Sequence, residues 1–500
     1  RGFSPIYCFG WISLENFVAV DMGASSGRLM LGRLDWSGNR LTLEEIYRFR
    51  TEGTRLFGGL YWDVLRFYDE IREGLCRCVQ ICGGEIASLG VDSWGVDYAP
   101  LDARGELVSN PRHYRDSRTE GVMEEVLKLV PREEIFSYTG IQFMRINTIY
   151  QLYAMSKTPV ASITDKILMI ADFFNYLLSG KSVSEMTLAS TTQIYDVFKH
   201  DWCWPLIEKL RFNPRWFQKI VPPGTVLGEL ADQLKGELGL RGTLVTTPPC
   251  HDTAAAVAAA PAGDKKFLFI SSGTWSLMGT ELSKPLVDEN VLRVGFANEV
   301  GVEKTIRFLK NITGFWLLQE CIRKWKLGTD VSYGELIRES QECPEFRCFV
   351  NPDDPIFLNP QSMPEAIQNF CRRTGQEPPR KRGEIVRCIL ESLALRHREV
   401  FEGLKSLLGS SLEEVYIIGG GSRNELFCQY VADALNLPVY AGPIEATAIG
   451  NILTQACALR DKVSLHTIRK IVRNSFKPRM YRPENASQWD EAFKRYMEVI

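Results

Sequence analysis

The sequence lacks any apolar run of the roughly 20 residues that a membrane-spanning helix needs. It also lacks a basic block followed by a clean apolar segment near its start, because Pro5, Gly10 and Glu15 interrupt the stretch from residue 3 to residue 17. These absences predict a protein without a membrane partner, located in the cytoplasm.

An excess of charge of either sign is missing as well. The chain has 59 basic and 61 acidic side chains, which gives a net charge of -2 at pH 7. Surfaces that bind nucleic acid need a basic stripe. The charge balance therefore argues against a nucleic-acid partner.

The cysteines do not form a regular framework. Their number is 13, which is odd, and they are scattered along the chain, as is typical of free thiols in a reducing compartment. Cys76, Cys78 and Cys82 are the closest set, but they lack the second pair of ligands that a structural zinc site needs. We interpret them as small buried side chains of a helix over residues 69–82.

The sequence has no Walker A phosphate loop. Gly180-Lys181-Ser182 resembles the end of that motif, but Asn175 stands where the motif requires its first glycine. We therefore interpret Gly180 as the residue that ends a helix.

A length of 500 residues exceeds what one hydrophobic core supports, since cores stop growing beyond about 250–300 residues. Two hairpins with small polar tips, over residues 17–35 and 267–279, lie about half a chain apart and form a weak internal repeat. The repeat predicts two lobes with related cores. Proline and glycine near residue 262 place the boundary there, giving lobes over residues 17–262 and 263–500.

The strand and helix patterns alternate in both halves. An apolar strand over residues 415–419 runs into a glycine-rich turn, and a helix follows over residues 425–435. Such alternation predicts α/β lobes with mostly parallel sheets.

The first candidate site is the hairpin tip Asp21-Met-Gly-Ala-Ser-Ser-Gly-Arg28. Its small residues would let backbone N–H groups approach an anion, and Arg28 would add positive charge. Asp21 could hold a hydrated Mg²⁺ ion, which prefers carboxylate and water ligands. A glycine-rich turn without any ligand explains the same residues.

The second candidate is His251-Asp252-Thr253, which precedes an alanine-rich stretch. Asp252 or Thr253 would be the N-cap of a helix there, which is a purely structural role. The same geometry would favour a phosphate nearby and keep Asp252 ionised as a proton acceptor for an alcohol. From the spacing alone, both roles stay open.

Two further turns could approach a nucleotide. The run Gly419-Gly420-Gly421 follows a strand and could approach a base or a ribose, or it could form only a tight strand-to-helix turn. Ser271-Ser-Gly-Thr274 forms a second small-residue tip that could face phosphate, and the next residue, Trp275, is expected in the core.

Taken together, the chain resembles the FGGY family of carbohydrate kinases from about residue 18 to about residue 481, whereas residues 1–16 have no counterpart. Arg145, Val300 and Cys250 stand where the family pattern usually has proline, glycine and serine. The resemblance is carried by the segments 18–28, 92–97, 114–118, 140–143, 147–148, 251–253, 271–279, 309–312, 316–319 and 419–421.

This resemblance implies two RNase-H-like lobes of the actin-like ATPase type, with ATP and Mg²⁺ in the cleft between them. It implies phosphorylation of the C1 hydroxyl of a ketose, L-rhamnulose in particular, by a monomer or weak homo-oligomer. Rivals are a kinase for L-fuculose or L-xylulose, and a sugar-sensing protein without catalysis.

The resemblance also implies roles for individual residues. Asp252 matches the catalytic proton acceptor. The sugar site matches Gly95, His251, Asp252, Thr253 and Asn311. The nucleotide site matches Ala24, Ser25, Ser26, Gly27, Arg28, Thr274, Gln319 and Gly420.

Overall fold

The computed structural model describes residues 14–263, 265–326, 332–358, 360–409 and 412–500. Residues 1–13 of the predicted extension therefore lie outside the described residues, and the first strand begins at Leu14. The lobe boundary near residue 262 stays a prediction.

The first half of the chain contains fourteen strands and ten α-helices among the described residues. The strands are β1 (Leu14–Met22), β2 (Ser26–Asp35), β3 (Arg40–Arg50), β4 (Thr54–Leu56), β5 (Gly59–Tyr61), β6 (Ser88–Ser93), β7 (Tyr98–Leu101), β8 (Lys166–Met169), β9 (Ser184–Glu185), β10 (Tyr195–Asp196), β11 (Asp201–Trp202), β12 (Ile220–Val221), β13 (Val226–Glu229) and β14 (Leu244–Thr246). The helices are α1 (Val64–Cys82), α2 (Val122–Leu129), α3 (Arg132–Thr139), α4 (Thr148–Ser156), α5 (Pro159–Ile163), α6 (Ile170–Ser179), α7 (Met186–Ala189), α8 (Trp204–Lys209), α9 (Asp232–Leu238) and α10 (Asp252–Ala258).

The second half contains seven strands and nine α-helices among the described residues. The strands are β15 (Phe267–Ser272), β16 (Trp275–Leu282), β17 (Ala297–Val300), β18 (Ile306–Thr313), β19 (Glu414–Ile418), β20 (Val439–Ala441) and β21 (Arg479–Tyr481). The helices are α11 (Glu289–Val294), α12 (Trp316–Lys326), α13 (Tyr333–Gln341), α14 (Met363–Arg373), α15 (Arg382–Leu408), α16 (Glu425–Leu435), α17 (Ala446–Arg460), α18 (Leu465–Ser475) and α19 (Ala486–Val499).

The strand order is repeated in the two large sheets. The first sheet runs β13-β14-β6-β1-β2-β3, and the second runs β17-β18-β16-β15-β19-β20-β21. In each sheet a central strand, β1 or β15, has an antiparallel meander on one side, and on the other side two parallel strands followed by an antiparallel edge strand. This is the arrangement of RNase-H-like lobes in actin-like ATPases, and it confirms the prediction of two lobes with related cores.

The prediction of mostly parallel sheets is wrong, because both sheets are mixed. The strands β1, β2 and β3 pair antiparallel, as do β15, β16 and β18. Short turns can join only antiparallel neighbours, whereas parallel pairing needs a longer crossover. The hairpins at residues 17–35 and 267–279 therefore already determined the antiparallel part of each sheet.

Two helices join the halves of the molecule. Helix α17 packs against α10 and against β1 and β6 of the first sheet. Gly450 allows this approach, since an added Cβ would lie 1.9 Å from the carbonyl oxygen of Ala255. The Gln455 amide also donates to the carbonyl of Val18, at 3.1 Å. The sheets are thus held on either side of a helix pair.

Several local predictions are confirmed. Helix α16 spans the residues predicted for it, and the predicted helix over residues 69–82 lies within α1. Gly180 ends α6 in the left-handed conformation, with φ 74°.

No helix of the described ranges has the length and apolarity that crossing a bilayer would require.

Folding also brings together three cysteines that are far apart in sequence. The sulfur atoms of Cys348, Cys371 and Cys388 all lie within 4.8 Å of one another, and all three side chains are buried. Cys348 lies in a loop, Cys371 in α14 and Cys388 in α15. Because these residues are far apart in sequence, spacing along the chain indicates only the cluster at residues 76–82. The three thiols do not line the cleft described next.

Candidate active site in the interlobe cleft

A cavity of about 830 Å³ opens between the two sheets, and residues of both halves line it. All of the predicted site residues except Gly27 are on its wall. The turns, strands and helices that carry them come from distant parts of the sequence. The fold therefore assembles the predicted residues into one site.

The first wall is the turn between β1 and β2. The N–H of Gly23 donates to the carbonyl of Ser26, at 3.0 Å, and the Thr51 hydroxyl donates to the carbonyl of Gly23, at 2.6 Å. Ala24 and Ser25 form the tip that faces the cleft. Gly27 instead lies beneath this tip, because a Cβ there would be 2.3 Å from the Phe49 ring. Its small size serves packing, which corrects its predicted place on the wall.

A charge network crosses the cleft beside this turn. The Arg28 guanidinium donates to the carboxylates of Asp21 and Glu445. Burial alone would lower the pKa of Arg28, but these two carboxylates raise it above its usual range. Burial raises the pKa of Asp21, and Arg28 opposes that rise. Because Glu445 directly precedes α17, the network connects the second half of the chain to β1 and β2.

The second wall is the turn between β15 and β16, which corresponds to the first turn in the repeated sheet order. The Thr274 hydroxyl donates to the side-chain carbonyl of Gln319, at 3.0 Å, and Gln319 comes from α12. Trp275 packs against the second hydrophobic core but is only half-buried and also lines the cleft, so the prediction that it belongs to the core holds in part.

Three glycines end β19 at the next part of the wall. Gly419 has φ 81°, a conformation that favours glycine, and a Cβ on Gly421 would lie 2.6 Å from the Ser272 side chain. Gly420 faces open space, with nothing within 4 Å of an added Cβ. The turn thus needs two of its glycines for its shape, and Gly420 leaves room for a ligand.

At the other end of the cleft, Gly95 lies between Trp94 and Val96, with Tyr114 close by. The buried carboxylate of Asp97 organises this end. It accepts hydrogen bonds from the Trp62 and Trp94 ring N–H groups, at 2.6 and 3.1 Å, and from the Tyr114 N–H, at 3.1 Å. Burial raises the pKa of Asp97 to about 6, although these donors oppose the rise.

His251, Asp252 and Thr253 lie at the start of α10, on the same wall. The prediction that Asp252 or Thr253 caps this helix is wrong, because the N-cap is His251 and Asp252 is the first helical residue. The Asp252 Oδ1 atom accepts hydrogen bonds from the Thr253 N–H, at 2.5 Å, and from the Thr253 hydroxyl, at 3.1 Å. No described residue donates to Oδ2, so this oxygen is left to accept from a ligand.

Asn311 reaches the cleft from β18 of the second sheet. Its backbone N–H donates to the Gln142 side-chain carbonyl, at 3.0 Å, and its side-chain amide lies 3.4 Å from the same oxygen. Gln142 belongs to the first half of the chain, so the pair joins the two halves beside His251 and Asp252.

Two family models describe adjacent parts of this chain. The N-terminal domain of the FGGY family of carbohydrate kinases matches residues 63–259, and the C-terminal domain matches residues 268–459. The chain belongs to the FGGY family of carbohydrate kinases. As a member of this family, it is an ATP-dependent sugar kinase.

Relatives match the FGGY chain over nearly its whole length. The rhamnulokinase of Bacteroides thetaiotaomicron (strain VPI-5482) is 41% identical over 488 residues, which cover 97% of this chain and 99% of that protein. The rhamnulokinase of Bacillus subtilis (strain 168) is 38% identical over 469 residues, which cover 94% of this chain and 96% of that protein.

Solved structures support the fold of the FGGY chain. Gluconate kinase from Lactobacillus acidophilus superposes with a TM-score of 0.79 at 16% identity, covering 97% of this chain and 98% of that one. Plasmodium falciparum glycerol kinase with ADP superposes with a TM-score of 0.75 at 15% identity, covering 97% of each chain. At these identities the likeness concerns the fold alone.

The motifs missed several cleft residues of this kinase. Glu299, Glu445 and Gln142 line the site but lie outside the glycine-rich and acidic motifs. For Glu299 a signal existed, since it directly precedes Val300, which stands where the family pattern usually has glycine. Gln142 lies within segment 140–143, which supports the family resemblance, but it was assigned no role, and no residue pattern marks Glu445.

Proposed function

We propose that this kinase transfers the terminal phosphoryl group of ATP to the C1 hydroxyl of L-rhamnulose, which gives L-rhamnulose 1-phosphate and ADP and serves L-rhamnose catabolism in the cytoplasm. One observation supports L-rhamnulose as the substrate. Proteins named rhamnulokinase match this chain at 38–41% identity, including 97% of its length and 99% of the length of the Bacteroides relative. That the protein is a monomer or a weak homo-oligomer remains a prediction.

The geometry at Asp252 supports its role as the proton acceptor. Its Oδ1 atom is occupied by two donors of Thr253, so the carboxylate is held in one orientation. Its Oδ2 atom is then the one that accepts the proton of the sugar hydroxyl as that oxygen attacks phosphorus. Asp252 is partly exposed to the cleft, with 31% of its side chain accessible, so a substrate can reach it.

We assign the sugar to the end of the cleft that contains Gly95, His251, Thr253 and Asn311. These residues surround Asp252 and offer backbone, imidazole, hydroxyl and amide groups, which suit a polyhydroxy ligand. Trp94 and Tyr114 add apolar surface for the carbon face of a sugar.

The nucleotide is assigned to the opposite end. Backbone groups of Ala24, Ser25 and Ser26 and the charge of Arg28 suit phosphate on one side, and Thr274 suits it on the other. Gln319 and Gly420 stand where a ribose or base would lie. Because the two turns belong to different sheets, one ATP would bridge them, and closure of the lobes is the expected response.

We assign Mg²⁺ to Asp21. The residues fit a hard cation, because the Asp21 carboxylate lies on the cleft wall together with the carboxylates of Asp252 and Glu445. Only one oxygen of Asp21 is used by Arg28, which leaves the other for a hydrated ion. When bound, Mg²⁺ neutralises charge on the ATP phosphates.

A coupled ADP assay with L-rhamnulose, L-fuculose and L-xylulose tests the proposal. We expect kcat/KM for L-rhamnulose to exceed the other values at least tenfold, and NMR of the product to show phosphate on C1. Equal or higher kcat/KM with another ketose would reassign the substrate. No ADP release with any ketose, in a protein that still binds sugar, would favour a sugar sensor. Chelation with EDTA should abolish activity, and Mg²⁺ should restore it.

A further inference from the structure

A buried ion pair lies directly behind the sugar end of the cleft. Glu299 of β17 and Arg307 of β18 face each other across the two antiparallel strands, and Arg307 Nη2 lies 3.0 Å from Glu299 Oε2. Arg307 has no exposed surface, and 6% of the Glu299 side chain is exposed. Burying such a pair is costly unless its geometry is good, so its position needs an explanation beyond stability.

Both members of the pair reach the same imidazole nitrogen. Nδ1 of His251 lies 3.1 Å from Arg307 Nη2 and 3.3 Å from Glu299 Oε2. The other ring nitrogen, Nε2, lies 3.4 Å from Oδ1 of Asp252. A chain of contacts therefore leads from the ion pair through His251 to the proposed proton acceptor.

The hydrogen-bond geometry distinguishes the two contacts at Nδ1. A guanidinium can only donate, so its contact requires Nδ1 to accept. The contact of Nδ1 with Glu299 is close but does not have the angle of a hydrogen bond, and Glu299 Oε2 has no hydrogen-bond partner among the described residues. If Nδ1 accepts, the proton of the neutral ring is on Nε2, which faces Asp252.

The backbone of His251 is fixed separately. Its N–H donates to the Thr187 hydroxyl, at 3.2 Å, and the carbonyl of the preceding Cys250 accepts from the Ser93 N–H, at 2.8 Å. These contacts all belong to the first half of the chain, whereas the side chain is held from the second half. The ring orientation therefore depends on how β17 and β18 are docked.

We propose that the Glu299–Arg307 pair holds His251 as the tautomer with its proton on Nε2, and that His251 thereby orients the Asp252 carboxylate. Arg307 and Glu299 are then positioning residues, since neither needs to touch the reacting atoms. The Nε2–H group then faces Oδ1 of Asp252, at 3.4 Å, beside the two donors of Thr253, and Oδ2 stays free for the sugar hydroxyl. This inference rests on the proposed role of Asp252.

Strand β17 is itself held against the first half of the chain, so the contacts around His251 form only when the two halves are assembled. The Val300 N–H donates to the Ser190 hydroxyl, at 2.9 Å, and the Asn298 N–H donates to the carbonyl of Gly140, at 2.9 Å. Both acceptors belong to the first half of the chain. The second half of the chain thus supplies the residues that orient the proposed proton acceptor, Asp252, which belongs to the first half.

The tautomer can be measured directly. The chain has only five histidines, so protein labelled with ¹⁵N-histidine gives a simple long-range ¹H–¹⁵N spectrum, and His251→Gln assigns the signal. We expect a neutral ring with its proton on Nε2 in the wild-type protein. A proton on Nδ1, or on both nitrogens, would overturn the proposal.

Kinetics of Arg307→Lys give the second test. Arg307 Nη2 also donates to the Val300 carbonyl, at 3.2 Å. Lysine keeps the charge beside Glu299 but cannot donate to both Val300 and His251 in the same geometry. We expect kcat to fall by about tenfold or more, as for a displaced general base, while KM for ATP changes less than twofold. The matched control is Arg387→Lys, because Arg387 forms another buried pair with Glu391, at 2.7 Å, outside the cleft.

An unchanged kcat in Arg307→Lys would overturn the proposal. If that variant does not fold, the wild-type tautomer still decides. Arg307→Lys is compared with the wild-type protein on whichever ketose the wild-type protein accepts. A wrong assignment of the substrate therefore would not affect this test. Asp252→Asn with wild-type activity would refute the role of Asp252 itself.

Discussion

The Gln142 side-chain carbonyl accepts the backbone N–H of Asn311, at 3.0 Å, and its amide lies 3.4 Å from the Asn311 carbonyl. This reciprocal pair connects the segment after α3 to β18, so it fixes one half of the chain against the other at the sugar end of the cleft. A residue proposed to bind sugar is thus positioned by a residue 169 places away in sequence.

Gln142→Ala should therefore weaken sugar binding. Each lost hydrogen bond is worth about 1 kcal/mol, so KM for the ketose should rise between about fivefold and fiftyfold. The KM for ATP should change less than twofold, because Gln142 pairs with Asn311, which is assigned to the sugar. Initial-rate kinetics with each substrate varied in turn measure both values. Gln233→Ala, at an exposed position of α9, is the control, and an equal rise in both KM values would contradict the local role.

Asp252→Asn should retain the fold and lose most activity. The amide oxygen can still accept the two hydrogen bonds of Thr253, but it cannot take a proton, and loss of a general base costs about 10²–10⁴-fold in rate. Single-turnover kinetics measure the chemical step, and circular dichroism checks the fold. Asp232→Asn, whose side chain is fully exposed, is the control. Activity within threefold of wild type would remove Asp252 from the catalytic step.

Asp252 and Gln142 show which parts of the site the sequence could predict and which it could not. The short-range motifs around Asp21, Asp252 and Gly420 depend on turns that a few adjacent residues determine, so the sequence indicated them. Gln142 and Glu445 act through partners that are remote in sequence and that only the tertiary fold brings to them, whereas Glu299 meets Arg307 through the register of β17 and β18. The mixed character of the sheets was missed for a related reason, since alternation of strands and helices dominates the pattern.

Arg28→Gln should weaken nucleotide binding in particular. The neutral amide removes the charge proposed to face phosphate and leaves Asp21 and Glu445 without their common partner. A charge-assisted hydrogen bond is worth about 1.5–3 kcal/mol, so KM for ATP should rise about tenfold to a hundredfold. Calorimetric titration with ADP measures the loss without turnover. Arg33→Gln, on the same strand but paired with Glu44 at 2.8 Å, is the control; unchanged ADP affinity in Arg28→Gln would contradict the assignment.

Asp97 should give the protein a pH dependence of stability. Its pKa is about 6 in the folded protein, which exceeds the value of about 3.9 for an unfolded chain. The folded state thus binds more protons between these values, and stability falls as pH rises through 6. Relative to Asp97→Asn, the free energy of unfolding of the wild-type protein should decrease by about 1 kcal/mol from pH 5 to pH 7. Urea unfolding followed by tryptophan fluorescence measures it, and a difference that grows with pH would contradict the prediction.

Arg145 tests whether departures from the family pattern affect the sugar. Its side chain is 44% exposed and lies 3.4 Å from Glu120, so it points outward, as an unpaired buried charge would be costly. It is not on the cleft wall. No described residue accepts a hydrogen bond from its N–H, so proline at this position would remove none.

We therefore expect Arg145→Pro to leave the preference for L-rhamnulose over L-fuculose unchanged within threefold, and to shift stability only slightly. Measurement of kcat/KM for both sugars in both proteins decides it. Glu120→Gln is the companion variant, because it removes the ion pair without changing the backbone. A tenfold change in the ratio in Arg145→Pro corresponds to about 1.4 kcal/mol of differential transition-state binding. Such a change would mean that the backbone around residue 145 shapes the sugar pocket, because the side chain itself faces solvent.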